Sequence, residues 1–212
     1  LGVMNRMIME HKQDICHLCG KSLADKKNSA EHVPPRQIFT KSIRKAVNLN
    51  QLLTIPTHYD CNKSFQKDEE YFVHTLGPLA MNTISGKAVW NDLLSQYDAQ
   101  RNIPLLRKAL SEFDETPSGL ILPRGKVVKK LEGDRIFRVV WKIIRGLYYH
   151  EYDKYLPENA VLHFDIFGPG EEPPKDLLTV ANQPARGIYP GVFDYKYLTV
   201  EEPTKLHVWA VC

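Results

Sequence analysis

No stretch of the 212 residues approaches the 18 or so consecutive apolar positions that a helical membrane span requires, so no span is expected. No secretory leader is expected either. The opening L-G-V-M-N-R-M-I-M-E-H-K is apolar only briefly and is soon interrupted by charge. The chain begins with Leu rather than Met, which leaves its natural start open, and a cytoplasmic setting is the expectation. Cysteine is scarce: Cys16, Cys19, Cys61 and Cys212. In a reducing compartment four cysteines do not make a disulfide framework. No internal repeat or low-complexity tract occurs, which sets aside repeat architectures. The net charge of +3 is too small to name a partner.

What is present is an ordinary globular composition, long enough for one large domain or two small ones. Charge is unevenly spread. Residues 21–67 carry nine Lys or Arg against three acids, a net +6 that leaves −3 for the rest. A positive segment of that kind suits a phosphate-bearing partner. Two short strands are expected at Ala30–Val33, stopped by Pro34-Pro35, and at Gln51–Ile55, ended by Pro56. From Asp60 the spacing of Cys61, Phe65, Phe72 and Leu76 predicts a helix running to Gly77-Pro78. Residues 86–113 read as mostly helical, interrupted by Pro104. A long helix is expected from Asp134 to Tyr155, apolar around most of its circumference and ended by Pro157. Strands at Val161–Phe167, Val192–Val200 and Lys205–Val211 follow, the last two as a hairpin. The expected class is therefore α+β, with an N-terminal module over 1–85, a helical connection, and a C-terminal α+β unit over 86–212.

Two pairs of soft ligands bracket the positive segment. Cys16 and Cys19 lie in C-H-L-C, His58 and Cys61 in H-Y-D-C. Each x-x spacing lets one tight turn aim two side chains at one ion, as in a tetrahedral Cys3His zinc site. Two short strands and a helix bury too little apolar surface to fold unaided, and bound zinc supplies the missing free energy. A redox C-x-x-C is the rival, but it lacks its usual β-α context here. His17, inside the first turn, is expected to face solvent. His74, His150, His163 and His207 read as core or surface histidines. The C-terminal aromatics read as packing, and Asp68, Glu69 and Glu70 as a solvated face.

Between the pairs stands E-H-V-P-P, residues 31–35, and Asn62 follows the last soft ligand directly. The ordered set C-H-L-C-G, E-H-V-P-P and N-L-N-Q-L-L-T-I-P-T-H-Y-D-C-N-K-S-F resembles the HNH endonuclease family over residues 14–76. That resemblance implies a ββα-metal core with a structural zinc and an enzyme that hydrolyses phosphodiester bonds. It implies His32 as the general base and Asn62 as a residue that helps hold a catalytic Mg2+ or Mn2+. Glu31 would be a second ligand to that ion, and Asn50 would orient the His32 ring. Asn48 competes for that last role, because the run before His58 is longer than the family's usual spacing. Adjacent strand residues face opposite sides, so a twist or bulge at residue 31 is required; otherwise Glu31 is only a surface acid. Lys63 and Lys67 would grip a nucleic-acid backbone without reading its sequence.

The expected function is a metal-dependent endonuclease acting on nucleic acid, with double-stranded DNA as the expected substrate and no membrane partner. The C-terminal unit would select substrate, join subunits or bind a protein partner. From another class comes a non-catalytic, zinc-stabilised nucleic-acid-binding module, which has no need of Glu31, His32 and Asn62. A thiol oxidoreductase would instead require reactive Cys16 and Cys19 and no tightly held zinc.

Overall fold

A computed structural model describes residues 14–46, 52–114, 119, 122–124, 127–167, 171–189, 192–201 and 206–211. Asn48, Asn50 and Cys212 lie outside the described residues. Strand β1 (Asn28–His32) is followed by helix α1 (Lys41–Ala46), strand β2 (Thr54–His58), and helices α2 (Tyr59–Lys63) and α3 (Gln66–Leu76). β1 and β2 form an antiparallel pair from Asn28↔His58 to His32↔Thr54. The second strand lies further along than its sequence pattern predicts. Pro56 sits inside it, opposite Ala30, instead of ending it. In a two-stranded sheet each strand is an edge, so a missing N–H on the outer side costs no ladder bond.

Helices α4 (Ile84–Asp98) and α5 (Ile103–Ser111) form the helical stretch after α3. Pro104 does not interrupt it. Pro104 falls in the first turn of α5, where a proline is tolerated, and the break lies before it at Gln100 and Asn102, both at positive φ. A short pair, β3 (Phe113–Asp114) with β4 (Val128–Lys129), leads into the long helix α6 (Gly133–Tyr152). That helix ends three residues before Tyr155 because Asp153 adopts the left-handed conformation. Helix α7 (Leu178–Ala181) precedes a three-stranded antiparallel sheet of β5 (Arg186–Tyr189), β6 (Phe193–Val200) and β7 (Leu206–Val211). The expected hairpin is this β6–β7 pair, in register from Tyr195↔Val211 to Val200↔Leu206. Residues 161–167 form no strand. Val161 is 80 % exposed, and among the described residues no strand pairs with this segment.

Apolar residues of α6, three of them at four-residue spacing, point into the main core. Val139, Ile143, Leu147 and Tyr149 meet Val33, Phe39 and Ile55 from the first hundred residues, and Tyr189, Phe193 and Tyr195 from the last sheet. One core therefore crosses the boundary expected at residue 85. Each such fully buried aliphatic side chain contributes about 1.5–3 kcal/mol. Close approach of α6 to the end of β1 depends on Gly146, where an added Cβ would lie 2.5 Å from Val33 Cγ2. Among the described residues no helix is long and apolar enough to cross a membrane.

Candidate functional site

The C-x-x-C segment forms a knuckle. Cys19 N–H and Gly20 N–H both donate to the Cys16 carbonyl, at 3.3 and 2.8 Å, and Gly20 takes a φ of +68° that favours glycine. An added Cβ there would also strike the Tyr155 ring at 2.9 Å. The second pair straddles the joint of β2 and α2, with His58 ending the strand and Cys61 one turn into the helix. Folding brings the four ligand atoms of Cys16, Cys19, His58 and Cys61 within 4.8 Å of one another. His58 Nδ1 faces the thiols, 3.3 Å from Cys19 Sγ and 3.9 Å from Cys61 Sγ. Its Nε2 lies 2.9 Å from the Ser22 carbonyl, a contact that places the proton on Nε2 and leaves the Nδ1 lone pair for an ion.

The electrostatics suit a cation. Burial raises the Cys16 thiol, but hydrogen bonds from Thr57 and from backbone N–H groups outweigh it and bring it to about 7. Burial, with Cys16 and Cys19 alongside, pushes Cys61 up to about 12. Crowded sulfurs that cannot all ionise alone are relieved by a metal ion among them. The group could hold a metal such as zinc. Apart from these ligands, the local apolar cluster among the described residues consists of Leu18, Leu23 and Phe65.

His17 does not face solvent. It is fully buried, its ring tilted against Tyr149 at a centroid distance of 6.2 Å, and burial lowers its pKa to about 4. The outer side of the knuckle is covered by α6 and the residues after it, which leaves the turn no exposed face there. Arg145 donates to the Leu18 carbonyl from the same helix.

On the other side of the β1–β2 pair lies a groove of about 650 Å³. Glu31, His32 and Asn62 line it, as do Arg36, Lys41 and Arg44. The fold thus brings the three sequence-picked residues to one concavity. The ladder through residue 31 is regular, with no bulge, yet Glu31 is not a surface acid: it is 3 % exposed. His32, the last strand residue, is half-buried, and its Nδ1 has no hydrogen-bond partner among the described residues. Burial and the nearby charges of Arg36, Arg44 and Lys142 lower its pKa, so the imidazole is neutral near pH 7.

The cation between Glu31 and Asn62 is an ammonium. Lys142, from α6, places its Nζ 2.7 Å from Glu31 Oε1, 2.5 Å from Glu69 Oε1 and 3.3 Å from Asn62 Oδ1. Asn62 Nδ2 in turn donates to Ser29 Oγ at 3.3 Å. Burial, with Glu69 adding and Lys142 opposing, pushes the Glu31 carboxyl up to about 7. Three oxygen donors thus converge on one positively charged point, a donor set that fits a hard cation.

The acidic run 68–70 is not a uniformly solvated face. Asp68 accepts from Arg135 and Arg138, each at 2.8 Å, and Glu69 is buried against Lys142. Lys142 was missed from sequence. Its signal is the stripe Arg135, Arg138, Lys142 and Arg145, spaced by three or four residues along a helix otherwise read as apolar, opposite the acids of α3.

Comparison of the chain with protein-family models, with curated proteins and with solved structures finds no match.

Proposed function

We propose that the chain is a metal-dependent endonuclease of the HNH type, hydrolysing phosphodiester bonds in DNA on a frame held by zinc at Cys16, Cys19, His58 and Cys61. The observation that supports this most is the meeting of His32 and Asn62 in one groove of a β1–β2–α2 frame whose turns carry the soft ligands. A neutral imidazole accepts a proton from water without being permanently charged, which suits His32 to act as the base. Glu31 and Asn62 would hold Mg2+ or Mn2+. Bound there, the ion would neutralise charge on the phosphate and the leaving oxygen. Arg36, Lys41 and Arg44 on the groove wall suit contact with the backbone phosphates. Asn50, or its competitor Asn48, both outside the described residues, would orient the His32 ring.

A second reading is favoured by one observation: the cation position between Glu31 and Asn62 holds Lys142. That arrangement also fits a zinc-stabilised nucleic-acid-binding module without catalysis. Zinc-loaded protein incubated with supercoiled plasmid in a Mg2+ and Mn2+ series separates the two. Nicked circles are the expected product; plasmid that is retarded but never nicked in either metal would overturn the nuclease reading and support the module.

A further inference from the structure

All three N–H groups of the Lys142 ammonium are used, on Glu31, Glu69 and Asn62, and the side chain is only 2 % exposed. Its Nζ also lies 5.2 Å from the centre of the Phe65 ring. This is a fully coordinated cation delivered from a helix 80 residues beyond Asn62. We propose that the Lys142 ammonium is the resident occupant of the cation position, and that a divalent ion binds Glu31 and Asn62 only by displacing it. The inference rests on the reading of Glu31 and Asn62 as ligands of the catalytic ion.

Geometry makes the two occupants exclusive. Mg2+ takes its oxygen ligands at about 2.0–2.1 Å, so an ion held by Glu31 and Asn62 would crowd the ammonium that already contacts both. Two cations in contact in a buried, low-dielectric position repel strongly. A lysine head on a flexible four-carbon stem can leave, and the groove beside it gives room. Lys142 therefore lowers the site's affinity for a divalent ion and gives the buried Glu31 and Glu69 carboxyls a partner in its absence.

Mn2+ binding by the zinc-loaded full chain, followed by titration calorimetry, tests this directly. In Lys142→Met the Mn2+ dissociation constant is expected to fall by about tenfold or more, within the usual range of coupling between sites. Part of that gain comes from the extra negative charge that the substitution exposes. The double variant Lys142→Met with Glu69→Gln restores the local net charge of wild type, because one cation and one carboxylate are lost together. It also avoids leaving two unpaired buried carboxylates, and so it remains testable if the single variant fails to fold. Tighter Mn2+ binding by the double variant than by wild type, abolished by adding Glu31→Gln, is the expected result. Affinity equal to or weaker than wild type in the double variant overturns the displacement. Failure of the nuclease reading shows separately, as wild-type protein that carries zinc and nicks no plasmid in either metal.

Discussion

Two donor clusters share the β1–β2–α2 frame and differ in how they are completed. The soft one, Cys16, Cys19, His58 and Cys61, is made by two local turns, and every ligand lies within three residues of a partner ligand. The hard one begins with neighbours in the frame, Glu31 and Asn62, and is closed by Glu69 from α3 and Lys142 from α6. A motif can hold a structural ion unaided, whereas a buried charge cluster needs the rest of the molecule to compensate it. The C-terminal half is thereby tied to the frame's chemistry through one helix.

The largest effect is expected from breaking the soft cluster. Cys61→Ser removes a sulfur ligand from a knuckle whose own apolar cluster is small, and structural zinc accounts for about 10–16 kcal/mol of apparent binding free energy in small metal-folded modules. Loss of bound metal and of a cooperative thermal transition is expected, measured by metal content and circular dichroism. Unchanged metal content and melting would separate the cluster from any metal role.

A second buried Lys–carboxylate group sharpens the comparison, because it does not line the large groove. Glu112 accepts from Lys129 at 2.7 Å, from Tyr71 Oη at 2.5 Å and from Thr75. Burial raises its carboxyl, but these bonds outweigh burial and hold it below the ordinary range. Its contribution is therefore present above the unfolded-state pKa and is lost as pH falls through the lower folded value. Glu112→Gln is expected to cost about 3 kcal/mol at pH 7 in urea denaturation. That gap should close as pH falls below the ordinary glutamate range. A gap independent of pH would contradict the ionised assignment.

Gly146→Val tests the seat that brings α6, and Lys142 with it, against β1. Overpacking against Val33 is expected to cost about 2 kcal/mol, read from the same denaturation curves. Zinc content should stay unchanged. The smallest effect is expected at the solvent end of the cation stripe. Arg138 is half exposed, so Arg138→Ala should cost under about 1 kcal/mol, even though its bond to Asp68 is as short as that of Arg135.

The contrast also explains what the sequence made legible. The soft ligands were readable because their spacing is their geometry. Glu31, His32 and Asn62 were readable as a resemblance, and the groove unites them. Lys142 was not, since one member of a cationic stripe looks like a solvated residue until its partners, 73 to 111 positions earlier, are in place. His17 failed for the same reason: only the packing of Tyr149 decides that the knuckle has no solvent side there. Pro56 stays within a strand because both strands of a two-stranded sheet are edges, which a local sequence pattern does not reveal. Residues 161–167 were read as a strand, but a strand needs a partner, and none pairs with them among the described residues.

The central claim is that His32 acts as a base on a metal-held frame. Its most direct test is a paired measurement on one preparation of His32→Ala: zinc per chain, and plasmid nicking in Mg2+ or Mn2+. Zinc equal to wild type, with nicking slowed by about 100-fold or more, is the predicted result. Nicking at the wild-type rate with zinc intact would contradict it.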